Sequence, residues 1–185
     1  FLKVYTQEFA HRLDELTHKF KKTFGELSES QIHKKPDAET WSIAQNLEHL
    51  ILINESYFPV IDRLRNKNHK KPFTAKLGFL VNFFGKVILK SVQPDTSKKT
   101  KTFSIWKPSE NKASGDILKR FVEHQEKLKE KILDSEDLLE QNAVISSPAN
   151  PKIVYKLDAA FKIILAHEER HLQQAKKLLE FPQSN

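Results

Sequence analysis

Apolar residues recur three and four positions apart along most of the chain, the spacing of helices that bury one face. The first stripe is Leu2, Tyr5, Phe9, Leu13, Leu16, Phe20 and Phe24, which predicts a helix from Phe1 to Leu27. Gly25 and the Ser28-Glu29-Ser30 cluster end it. Past a loop holding Pro36 and Asp37, Ser42 and Gln45 stand at the spacing of a capping box, in which each side chain bonds the other's backbone N–H. A second helix is predicted from there to Arg65, with Ile43, Leu47, Leu50, Tyr57, Ile61 and Leu64 inward. A third is predicted from Ala113 to Gln141 on Ile117, Phe121, Leu128 and Ile132. A fourth is predicted from Tyr155 to Phe181, with Pro148 and Pro151 in the connection before it. No alternating run marks a strand. The expected fold is all-α: a single-domain four-helix bundle over residues 1–185, with one long insert at 67–107 between the second and third helices. The apolar centre of that insert predicts a short extra helix.

Composition narrows the chemistry. The chain has 185 residues and no cysteine, which excludes disulfides, thiolate metal sites and cysteine nucleophiles. A chain of this length buries about 70% of its unfolded surface, so a metal would serve function rather than folding. The net charge of +7 suggests nucleic acid until its position is considered. Residues 67–107 hold ten lysines and one acid, Asp95, and the remainder is slightly acidic. A mildly acidic body with one basic insert does not read as a whole-domain nucleic-acid binder. The longest apolar run, Leu77 to Leu89, is broken by Asn82, Gly85 and Lys86 and is too short to span a bilayer. No signal peptide is visible, and the expected location is cytoplasmic.

Candidate chemistry appears where polar residues interrupt an apolar stripe. The inward stripe of the fourth predicted helix runs Leu157, Ala160, Phe161, Ile164, His167, His171, Ala175 and Leu178. Residues at i and i+4 share a helix face about 5–6 Å apart, close enough for two imidazoles to bind one ion. Such a pair is also compatible with two half-buried rings bonded to ordinary polar partners. His49 adds weight, because it sits among Leu47, Leu50, Ile51, Leu52 and Ile53 in the most hydrophobic part of the second helix. One ligand from one helix and an i, i+4 pair from another supply three-point coordination across a bundle core. His49, His167 and His171 are therefore the candidate ligands of a divalent metal with an open position.

The stretch Thr40-Trp41-Ser42-Ile43-Ala44-Gln45-Asn46-Leu47-Glu48-His49-Leu50 and the later His167-Glu168-Glu169-Arg170-His171-Leu172-Gln173-Gln174 resemble the two signatures of the DinB-like superfamily. That family includes YfiT-like hydrolases and thiol S-transferases that use bacillithiol or mycothiol. The resemblance covers most of the chain and departs in the insert. It implies a four-helix bundle, a zinc or nickel ion on His49, His167 and His171, and pairing of bundle faces in a homodimer. The ion would activate a water for hydrolysis or a small-molecule thiol for S-transfer. A metal-binding or dimerising module without catalysis is the alternative.

Lesser candidates surround the trio. Glu48 and Glu168 adjoin proposed ligands, but helical neighbours point about 100° apart. Both are read as solvated carboxylates, with a general-base or orienting role as the weaker reading. Gln174 follows His171 on the same face and could donate to a metal-bound group, or simply be polar at the end of the bundle. His124, which follows Ile117 and Phe121, is read as partly exposed, with a cavity-facing position as the weaker reading, Asn54 as a pocket-lining or buried polar residue, and Trp41 as packing at the helix entrance. His11, His18, His33 and His69 belong to no constellation and are read as surface residues.

The insert supports two further partners. Lys70, Lys71, Lys76, Lys86 and Lys90 surround a Leu77–Leu89 apolar run, a composition suited to a helix on an anionic membrane surface. The simpler expectation is that this helix packs its apolar face over the bundle end. Nucleic acid bound through Lys98, Lys99, Lys101, Phe103 and Trp106 is the weakest reading.

Overall fold

A computed structural model describes residues 3–66, 72–95, 102–109 and 116–181. Four long helices dominate: α1 (Lys3–Phe24), α3 (Ile43–Arg65), α5 (Ile117–Leu133) and α7 (Leu157–Lys177). Between them fall α2 (Glu29–His33), α4 (Gly78–Ser91) and α6 (Glu136–Glu140), together with strands β1 (Val144–Ser147) and β2 (Asn150–Lys156). α5 and α7 each pack on both α1 and α3, so the four long helices enclose one core. Phe20, Phe24, Leu47, Leu50, Phe121, Leu128 and Leu172 lie in it, completely shielded from water. Among the described residues no helix is long and apolar enough to cross a membrane.

Local chemistry explains the element starts. Ser42 accepts from the Gln45 backbone N–H and Gln45 accepts from that of Ser42, forming the expected capping box at the head of α3. Ser28 and Gln31 form a second one and start α2, so the Ser28-Glu29-Ser30 cluster begins a helix as well as following one. Asp116 caps α5 through the Lys119 N–H. The third predicted helix is divided, because Asp134 and Ser135 separate α5 from α6. α6 ends in a Schellman turn in which Asn142, at φ 50°, occupies the left-handed position.

That turn leads into the main correction to the expected fold. Residues 144–156 form an antiparallel hairpin that pairs Ile145 with Tyr155, and the last long helix begins at Leu157 instead of Tyr155. The signal was available: Val144-Ile145 and Ile153-Val154-Tyr155 are β-branched and aromatic clusters on either side of Ser-Pro-Ala-Asn-Pro. Pro148 and Pro151 mark the segment as a connection, but they stand at the tip and edge of the hairpin and leave its two short strands intact. The Tyr57 and Tyr155 hydroxyls, 2.8 Å apart and buried, tie the hairpin to α3.

The insert does contain a helix, α4, which packs on β2 and α7. Its bed is thus the hairpin and the side of α7. The approach is close at Gly85, where a Cβ would lie 3.3 Å from that of Ala159 and 3.4 Å from that of Tyr155. His69, Lys70, Lys71, Lys98, Lys99 and Lys101 lie outside the described residues.

Candidate metal centre

The amphipathic pattern that buries α3 against α7 carries three histidines inward with it. Potential ligand atoms of His49, His167 and His171 all fall within 4.8 Å of one another. The ring centroids lie 4.7 Å apart for His49 and His171, 5.2 Å for His49 and His167, and 4.5 Å for His167 and His171. Trp41, just before the cap of α3, packs on His49 at 4.8 Å and stacks on His171 at 6.2 Å. The expected entrance residue is thus also a wall of the cluster.

Hydrogen bonds determine how two of the rings present themselves. His49 Nδ1 lies 2.7 Å from the Trp106 carbonyl, which can only accept, so Nδ1 carries the proton and Nε2 keeps its lone pair. Asn46 donates its amide to the Ser42 carbonyl at 2.8 Å. Its Oδ1 then faces His171 Nδ1 at 2.7 Å, and the same logic leaves His171 Nε2 as a lone pair. His167 Nε2 stands 3.1 Å from that nitrogen, while His167 Nδ1 is enclosed and has no partner. Burial holds His49 down at about 4 and His167 at about 3, and keeps His171 well below the usual imidazole range. The three rings are uncharged at neutral pH. Converging nitrogen lone pairs repel unless a proton or a cation lies between them, so this donor set fits a divalent ion.

The insert contributes directly. Residues 102–109 form a strap along α3, with a 3-10 turn at Ser104–Trp106. The Ser109 N–H donates to Glu48 at 3.0 Å, and Gln45 donates to the Ser109 carbonyl at 3.2 Å. The Trp106 indole donates to Ser56 at 3.1 Å. Glu48, expected to be solvated, is half-buried and anchors the strap whose carbonyl orients His49. Sequence reasoning missed Trp106 in this role because a backbone carbonyl has no residue signature. It missed Asn46 as well, although a polar residue three positions before His49 on the buried face was visible.

Two further expectations are corrected. Glu168, expected in water, is completely buried, accepting from Asn54 on α3 at 2.8 Å and from Gln125 on α5 at 2.8 Å. Burial raises its carboxyl to about 7, against the pull of both donors. His124 is buried too, stacked on Phe58, and neither ring nitrogen has a hydrogen-bond partner. Both were misplaced because α3, α5 and α7 converge more tightly than single-helix periodicity shows. Asn54 is buried as one of the expected alternatives held, whereas Gln174 is exposed. His11 and His18 are exposed and His33 is half-exposed.

A sequence model described as the DinB superfamily matches residues 12–175 of the chain. Searches of curated proteins and of solved structures give no significant match.

Proposed function

The chain belongs to the DinB superfamily, and from that premise we propose that it is a metal-dependent enzyme, a hydrolase or a thiol S-transferase, built on the family's four-helix bundle. His49, His167 and His171 would hold the ion, with zinc or nickel favoured because imidazole suits both. A divalent ion on three uncharged ligands keeps its full charge and supplies acidification of a water or a thiol. The convergence of three neutral imidazoles, two of them with tautomers set by neighbours that leave Nε2 free, carries this reading.

The chain's own residues prepare that site. Trp106 and Asn46 keep two rings in the ligating tautomer, and Trp41 covers one side. The chain has no cysteine, so a thiol would arrive as a small-molecule cosubstrate. Glu48 and Glu168 have carboxylates engaged by Ser109 and by Asn54 with Gln125, which favours positioning roles for them.

The test is metal content per chain by plasma mass spectrometry on protein purified without a histidine tag. Near-stoichiometric zinc or nickel is expected, followed by turnover in a screen pairing small thiols with electrophiles and esters with water. Protein that arrives without metal and takes up none of zinc, nickel, manganese or iron would refute the reading. The strap gives a second expectation. Glu48→Ala should remove the acceptor of the Ser109 N–H, loosen the Trp106 carbonyl from His49 and weaken metal binding about 10- to 100-fold, the usual cost of losing an orienting partner. Competition with a chromogenic chelator measures it; an unchanged affinity would remove the strap from the site.

A further inference from the structure

α4 divides its side chains between two environments. One face is committed to the body of the protein, where Val81 and Gly85 are buried and Leu80, Phe84, Ile88 and Leu89 half-buried. The opposite face exposes Phe79, Phe83 and Val87, which are 69%, 57% and 48% accessible. These positions are separated by four residues each, so they form one stripe about 12 Å long. Exposed apolar side chains are ordinary when scattered; three in a row on a single helix face are not. Lys76, Lys86 and Lys90 are exposed beside them, and between residues 67 and 107 the only acid is Asp95.

We propose that the Phe79-Phe83-Val87 face of α4, with its flanking lysines, docks on the surface of an anionic lipid bilayer. The charge pattern selects this occupant. A two-fold pairing of the same face on a second copy would bring Lys86 toward its own equivalent with no carboxylate on α4 to offset it. A sheet of anionic headgroups, in contrast, attracts every lysine at once while the aromatic rings enter the boundary below. At 14 residues α4 is about 21 Å long, too short to span the hydrocarbon core and long enough to lie in its interface. The docking does not depend on the metal reading, because the face is turned away from the elements that α4 packs on.

Flotation of the full untagged chain with vesicles of phosphatidylcholine, with and without phosphatidylglycerol, tests this. The protein is expected to rise with the anionic vesicles only, less so as salt increases. Lys76→Gln with Lys86→Gln should weaken binding roughly 20- to 30-fold, at about fivefold per lysine. Phe79→Ser with Phe83→Ser should weaken it roughly tenfold or more. All four sites are exposed, and unchanged circular dichroism and metal content would show that fold and site persist. Failure of the wild-type chain to float, or flotation indifferent to the phenylalanine substitutions, would overturn the proposal. Self-association without lipid that the same substitutions abolish would assign the face to a second copy and overturn it equally.

Discussion

His49→Ala and His171→Ala proteins are each expected to lose metal affinity by more than about 100-fold while remaining folded. Mutating an orienting partner of a ligand typically costs 10- to 100-fold, and removing the ligand itself should cost more. Two nitrogens would remain of three, and no other His or carboxylate among the described residues completes a cluster with them. The rings are uncharged in the metal-free fold, so neither substitution leaves a buried charge without its partner. The metal-free fold should therefore survive. Equilibrium dialysis against buffered zinc and nickel, beside thermal melts, separates the two effects. Full metal retention in either variant would mean that the ion sits elsewhere.

The second large effect concerns pH. In metal-free protein, stability should fall by about 3 kcal/mol or more between pH 7 and pH 5. Above 6.5 the imidazoles are neutral in both folded and unfolded chains and contribute nothing. Below it, the unfolded chain takes up protons that His49, held to about 4, His124, held to about 4, and His167, held to about 3, refuse in the fold; burial depresses His171 as well. The unfolded state then binds more protons, so stability declines as pH falls toward those values. Glu168 acts in the opposite direction. Its carboxyl, raised from 4.5 to about 7, holds a proton in the fold across a window where the unfolded chain releases it, which favours the native state as pH falls. Four histidines outweigh one carboxyl. Glu168→Gln should keep the fold, because Gln125 can turn its unpartnered Oε1 toward the new amide, and should make the loss on acidification steeper. Urea midpoints at pH 7, 6 and 5 measure both proteins; midpoints that stay level on acidification would show that the rings are solvated.

The stripes of α1, α3, α5 and α7 and the Ser42–Gln45 cap were legible in the residues, because amphipathic periodicity and capping are local codes. The histidine trio was legible for the same reason: imidazoles at core positions of long helices stand out against leucine and isoleucine. Where elements are short or paired across space, the local code weakened. The 144–156 hairpin lies between two helices, where periodicity shows only a connection, since a strand's identity depends on its partner as much as on its own residues.

What the sequence by itself determined is the apolar stripe of each long helix and, with it, the inward placing of His49, His167 and His171. Tertiary structure alone decided what surrounds them. It brought the Trp106 carbonyl to His49 across 57 positions and Asn46 to His171 across 125. It also enclosed Glu168 between Asn54 and Gln125. These contacts join helices or loops far apart along the chain, and their partners are amides and a backbone carbonyl that could as readily have faced water. Burial at a convergence of three helices, which no one-dimensional pattern encodes, turned them from ordinary polar groups into the groups that set the charge and orientation of the site.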